Sequence, residues 1–244
     1  MKKIIIIGAG AMGSAFAVPC VDNKNDVTIV GTHLEDNLID TVNSSNQVHP
    51  ALKTQLSQEI KFKRFDKLQS ILQKDVDLIV AGVSSVGIEW FVNQISKSYK
   101  KNLPIVLLTK GLSIVDDKLT TLSDKVRNLL KNEGHSKINI SAIKGPCLAA
   151  GLANKMRTGT VIANPDIQET ELLKKIISTN YYSMETSDDL TGVELSGAIK
   201  NIYSMLIGAS EGLSNSKAPK EIQSKFFLNT AASLIHRSIS EMVE

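Results

Sequence analysis

Residues 4–13 read Ile4-Ile5-Ile6-Ile7-Gly8-Ala9-Gly10-Ala11-Met12-Gly13. A wholly apolar, β-branched run that stops at a glycine describes a strand buried on both faces, as in a parallel sheet covered by helices. The glycines then follow G-x-G-x-x-G, between that strand and a small-residue helix expected over about Met12–Asp22. Each has its own task. Gly8 permits the tight turn, Gly10 lets the backbone approach a pyrophosphate, and Gly13 lets the helix pack close to the sheet. The helix N-terminus adds free N–H groups and the positive end of its dipole. A second strand at Val27–Val30 completes a nucleotide-binding unit, so Gly8, Gly10, Ala11, Met12 and Gly13 are the candidate dinucleotide contacts.

The same stretch has a rival reading. Met1-Lys2-Lys3 followed by an uncharged run to Val21 has the outline of a secretory signal, and its length reaches the lower bound of a membrane helix. Three glycines, a string of alanines and Pro19 make it weakly hydrophobic, and the β-branched run favours the strand. The whole chain has 244 residues with a net charge of +3, 42% hydrophobic and 22% charged, which is a globular composition of one to two domains. So small a basic excess, with no block of like charges, does not provide a nucleic-acid face. Two cysteines, Cys20 and Cys147, cannot form a disulfide framework at this size, so the expected setting is the reducing cytoplasm.

Apolar runs recur with helical stretches between them. Strands are expected at Val27–Val30, Leu78–Val83, Ile105–Leu108, Ile138–Ala142, Thr160–Ala163 and Tyr181–Met184, with helices near Asp117–Asn132 and Ile167–Ser178. This alternation predicts an α/β fold, a Rossmann-type doubly wound and mostly parallel sheet. From Asp189 to Leu213 the pattern becomes one long helix, with Leu195, Ile199, Ile202 and Leu206 at helical spacing. Asn215–Pro219 is expected to break it before an amphipathic helix over Ser224–Val243. The expected domains are 1–187, nucleotide-binding, and 188–244, all-α. His33, His49, His135 and His236 lack metal-ligand spacing, so no metal site is expected.

Candidate chemistry gathers where strands end. Gly31-Thr32-His33 stands where an acid usually holds the ribose hydroxyl of NAD, with Glu35 and Asp36 a little later. Thr32 and His33 are candidate cofactor contacts, and neither NAD nor NADP is favoured. Lys110, in Thr109-Lys110-Gly111, follows a strand and so lies at the carboxyl edge, where open α/β sheets bind ligands. Lys200 sits inside the long helix with Gly197, Ser204 and Gly208 on its face, small neighbours that admit a ligand. Lys144-Gly145-Pro146-Cys147-Leu148-Ala149 is a turn before an expected helix, another site for a phosphate or carbonyl. Cys147 has no histidine assigned to it and reads as a small buried hydrophobe rather than a nucleophile.

Taken together, Gly8–Gly13, Thr109-Lys110-Gly111, Gly145-Pro146-Cys147-Leu148-Ala149 and Gly192-Val193-Glu194-Leu195-Ser196-Gly197-Ala198-Ile199-Lys200-Asn201 form an ordered set. It resembles the NAD(P)-dependent glycerol-3-phosphate dehydrogenases. The resemblance implies hydride transfer between NAD(P)(H) and the C2 carbonyl of dihydroxyacetone phosphate, which feeds glycerophospholipid synthesis. It implies that Lys200 is the general acid/base and that Lys110 contacts cofactor and substrate. Gly145, Cys147 and Asn201 then match substrate contacts, and Ala149 a cofactor contact. The implied partner is a small phosphorylated substrate, with a homodimer left open and neither nucleic acid nor stable membrane insertion expected.

Two departures from the family pattern stand out. Cys147 replaces the usual serine. The family's later helices, with an aspartate beside the lysine and an Arg-Asn phosphate grip, have no counterpart before Glu244, so the helical domain reads as truncated and turnover is expected to be poor. Rival readings are a related reductase of a 2-oxo acid and a non-catalytic dinucleotide-binding protein.

Overall fold

The computed structural model describes the chain except for residues 101, 116, 218–222 and 244, and except for the side chains of 214–217, 223–228 and 243. In chain order the nucleotide-binding part runs β1 (Lys3–Ile7), α1 (Ala11–Asp22), β2 (Asp26–Val30), α2 (Asp36–Ser44), the hairpin β3 (Val48–His49) and β4 (Thr54–Gln55), then β5 (Lys61–Lys63). It continues through α3 (Leu68–Leu72), β6 (Leu78–Ala81), α4 (Ile88–Ile95), β7 (Pro104–Leu107), the hairpin β8 (Leu112–Val115) and β9 (Lys118–Thr121), and α5 (Leu122–Asn132). After these come β10 (Asn139–Lys144), α6 (Ala149–Ala153), β11 (Thr158–Ala163), α7 (Ile167–Ile177), β12 (Tyr182–Ser187), α8 (Leu190–Lys217) and α9 (Gln223–Val243).

The main sheet has eight strands in the order β12-β11-β10-β7-β6-β1-β2-β5. From β1 the chain first builds outward through β2 to β5, then returns to the other side of β1 and continues through β6, β7 and β10. The order therefore reverses at β1 and β6, which pair in parallel with Ile4 opposite Leu78. At such a reversal the connections leave in opposite directions and open a crevice above the carboxyl ends of the strands. Successive side chains of β1 point to opposite faces. Ile4 and Ile6 join Phe16, Val27 and Val80 on one face, while Ile5 and Ile7 join Leu68, Phe91 and Ile105 on the other. Both faces are buried, which accounts for a strand apolar at every position.

The sheet is mostly parallel, as expected, with one antiparallel junction, and one expected helix boundary needs correction. Between β10 and β11 the pairing is antiparallel, so β11 and β12 run against the other six strands. The connection explains the reversal: α6 has five residues, about 8 Å of helix, too short to carry the chain back along a strand of about 20 Å. The helix expected over Asp117–Asn132 starts only at Leu122. Before it, β8 and β9 pair as a hairpin turned at Asp117, whose φ is 59°. Thr121 marks the true start of the helix, because its hydroxyl accepts from the Asp124 N–H.

Two compact units are present, Met1–Glu194 and Leu195–Glu244. In the second, Arg237 and Tyr203 both donate to the Glu241 carboxylate, and Ala231 and Ser238 are buried. α8 continues through Lys217, past the expected end at Leu213, and the rest of the expected break at 218–219 lies outside the described residues. No helix among the described residues is long and apolar enough to cross a membrane.

Candidate active site

At Gly8 and Gly13 the glycine-rich turn makes backbone contacts that leave no room for a side chain. Gly8 has φ 111°, and a Cβ there would lie 2.7 Å from the Gly82 carbonyl at the end of β6. A Cβ on Gly13 would stand 2.3 Å from the Gly8 carbonyl oxygen, so α1 rests directly on the turn. Ala9, between them, is tied on both sides. Its N–H donates to Glu35 Oε2 at 3.0 Å, and its carbonyl accepts from the Ser14 hydroxyl and from His49 Nε2, each at 3.0 Å. Because the Leu52 N–H donates to His49 Nδ1, the ring hydrogen sits on Nε2. At Gly10 nothing but the Glu35 carboxylate, at 3.8 Å, would meet a Cβ, and no side chain caps α1. The first N–H groups of α1 are thus left to an outside anion, and the cradle fits a pyrophosphate.

Of the two acids that follow β2, Glu35 is the one that turns back to the strand end. Besides Ala9 it accepts from the Thr32 N–H at 2.7 Å, which brings its charge back to the strand end. Asp36 is committed elsewhere, to the Phe65 N–H and to Arg64. His33 lies against Trp90, with ring centroids 5.3 Å apart, and Phe65 completes the cluster. Thr32 and His33 therefore stand past the end of β2, with His33 against Trp90 of α4.

At the other side of the crevice, Lys110, Gly145 and Cys147 line one small cavity with Met12, Lys144 and Tyr182. Met12 belongs to the first turn of α1, so cofactor and substrate candidates meet here. The Thr109 hydroxyl donates to the Val83 carbonyl at 2.7 Å, and its own carbonyl accepts from Lys144 Nζ at 2.7 Å. Lys144 is 4% exposed, and burial lowers its pKa to about 8, with Glu194 opposing that shift and Lys110 adding to it. Burial also raises the pKa of Cys147, keeping it a thiol rather than a nucleophilic thiolate. Ala149 opens α6, too short to present a strong dipole. Lys200 and Asn201 belong to α8 within the second unit, Lys200 half-buried and its carbonyl bonded to the Ser204 hydroxyl.

Two family models cover nearly the whole chain. Residues 3–170 match the N-terminal region of NAD-dependent glycerol-3-phosphate dehydrogenase and residues 189–244 its C-terminal region. The chain belongs to the NAD-dependent glycerol-3-phosphate dehydrogenase family. The NADP(+)-dependent glycerol-3-phosphate dehydrogenase of Archaeoglobus fulgidus is 32% identical over 241 residues, 99% of this chain and 68% of that one. A glycerol-3-phosphate dehydrogenase [NAD(P)+] of Mesoplasma florum is 31% identical over 201 residues, 82% of this chain and 58% of its own length. The chain thus spans about three fifths to two thirds of these dehydrogenases. Among solved structures, the glycerol-3-phosphate dehydrogenase of Coxiella burnetii superposes with a TM-score of 0.76 at 22% identity, covering 99% of this chain and 67% of that one. That of Plasmodium falciparum gives 0.77 at 20% identity, covering 99% and 64%. At these identities the structures establish the fold.

Sequence reading passed over the Lys144–Glu194 pair and the role of His49 within this dehydrogenase fold. Glu194 was visible only as part of a motif, and a lysine closing an apolar strand reads as a solvated end. Only the packing shows that both are buried.

Proposed function

We propose that this chain interconverts dihydroxyacetone phosphate and glycerol 3-phosphate with NAD or NADP. The observation that carries this reading is the meeting of Met12, Lys110, Gly145 and Cys147 around one cavity at the carboxyl edge. When bound, the reduced nicotinamide supplies a hydride to the substrate's C2. The glycine turn and the open N–H groups of α1 would hold the pyrophosphate, and Glu35, Thr32 and His33 the adenosine side. Lys110 brings a positive charge to a phosphorylated carbonyl compound. Lys200, by its resemblance to the family's lysine, donates a proton to the carbonyl oxygen as negative charge develops there. Both free cysteines are buried, which accords with a reducing cytoplasm, and a second copy of the chain is the proposed protein partner.

The test is oxidation of NADH and NADPH with dihydroxyacetone phosphate, alongside cofactor binding. Lys200→Ala should abolish the substrate-dependent rate and leave cofactor affinity within about twofold. Turnover of a 2-oxo acid instead would favour the related reductase. Cofactor binding without any turnover would favour the non-catalytic reading.

A further inference from the structure

The structure assigns to Lys144 a positioning role: its ammonium, paired with the buried Glu194 carboxylate, clamps the Thr109 carbonyl and so holds Lys110 toward the crevice. This rests on the dehydrogenase reading above. The strand β7 ends at Leu107, and its last backbone bond to β6 runs from the Leu108 N–H to the Ala81 carbonyl at 3.2 Å. Thr109 is nevertheless tied to both neighbouring strands. On the β6 side its hydroxyl donates to the Val83 carbonyl, and on the β10 side Lys144 Nζ donates to its carbonyl, both at 2.7 Å. Nζ also reaches the Leu107 carbonyl at 3.5 Å, so a single ammonium spans the strand end and the turn that carries Lys110.

Fold stability alone does not call for a charge here. Removing an ammonium from water is costly, and apolar packing usually serves a core as well or better. Lys144 is 4% exposed and Glu194 fully buried. Glu194 Oε2 accepts from the Ser123 N–H at 3.2 Å, while Oε1 accepts no hydrogen bond and faces Lys144 Nζ at 4.0 Å. The carboxylate is therefore placed to keep Lys144 charged rather than to be satisfied itself. Lys110 beyond β7 opposes that charge. The Cys147 thiol and the Tyr182 phenol, both neutral by burial, complete the titratable groups that line the same cavity. A clamp of this kind loosens when Lys144 loses its proton.

The experiment follows two variants and the wild type across pH 6.5 to 9.5, a span of about three units chosen to bracket the lysine. Backbone hydrogen exchange at Lys110 and Gly111, expressed as protection factors, reports the turn directly. Steady-state kinetics give KM for dihydroxyacetone phosphate, and fluorescence gives NADH affinity. In Lys144→Met, protection at Lys110 and Gly111 should fall about tenfold while the β1 amides keep theirs. KM should rise about tenfold, and NADH affinity should fall with it, since the same turn faces the cofactor side of the crevice. The wild type should show a break in protection and KM near pH 8, absent from Lys144→Met. Glu194→Gln should move that break about one unit toward acid, because the carboxylate favours the protonated lysine.

Unchanged protection at Lys110 in a folded Lys144→Met protein overturns the proposal, as does an equal loss across β1 and the turn. If Lys144→Met does not fold, the wild-type break and its shift in Glu194→Gln decide alone, and a break that stays in place overturns it. A wild type inactive on dihydroxyacetone phosphate, with the exchange pattern intact, removes the dehydrogenase reading and leaves the clamp standing.

Discussion

The carboxylate of Glu35 bridges two backbone amides, accepting from Ala9 in the glycine turn at 3.0 Å and from Thr32 at the end of β2 at 2.7 Å. The carboxylate therefore stands at the end of β2, the place where a dinucleotide-binding fold holds the ribose. An adjacent 2′-phosphate is repelled, so NADH should bind more tightly than NADPH. Glu35→Gln should narrow that ratio by about three- to tenfold, since a nearby like charge in partial solvent is worth about 1 kcal/mol. Titration of both cofactors against wild type and variant measures it, and a ratio that does not move refutes the assignment.

Gly10 and Gly13 of the same turn should behave differently on substitution. At Gly13 an added Cβ meets the Gly8 carbonyl oxygen at 2.3 Å, and the obstacle is backbone. Gly13→Ala should therefore push α1 off β1 and cost about 2–4 kcal/mol in urea unfolding. Gly10→Ala meets only the Glu35 carboxylate at 3.8 Å, so it should unfold like the wild type yet bind NADH several-fold more weakly.

The buried lysine gives stability a pH dependence of known sign. Lys144 has a pKa of about 8 in the fold against the ordinary lysine value of 10.5. Between these values the unfolded chain binds more protons, so this group raises stability as pH rises through the window and lowers it toward pH 8. Below the folded value the deficit is constant, about 1–3 kcal/mol after allowance for relaxation of the site. Lys144→Met should remove this slope between pH 8 and 10.5 in urea unfolding. A slope identical to wild type would refute it.

Trp90 is the only tryptophan of the chain and packs against His33 at 5.3 Å. Saturating NAD should change its emission, and His33→Ala should alter the unliganded spectrum. A Trp90 signal indifferent to cofactor would place the adenosine side elsewhere.

Much of this architecture was legible because it follows from hydrophobic patterning. The Ile4–Ile7 run, the glycine spacing and the long apolar strands all correspond to elements of the sheet. Less legible were features set by distance through space. The antiparallel turn into β11 depends on how far α6 can carry the chain, and β9 falls in the stretch that reads as the start of a helix. Lys110 could be placed at the carboxyl edge from its position after a strand. That Thr109 is held from both sides, and that Lys144 is buried beneath it, emerges only when β6, β7 and β10 lie side by side.

The Ala9 peptide has a further consequence. Its donor is taken by Glu35, and its acceptor by both Ser14 and His49, so its hydrogen-bonding capacity is spent before any ligand arrives. Such a peptide plane cannot turn to greet a phosphate, and recognition passes to the amides after it. The turn works as a gauge already set to width, with its ordering cost met during folding rather than on encounter. A dinucleotide should consequently associate in a single kinetic phase, without the slow rearrangement that a mobile loop would impose.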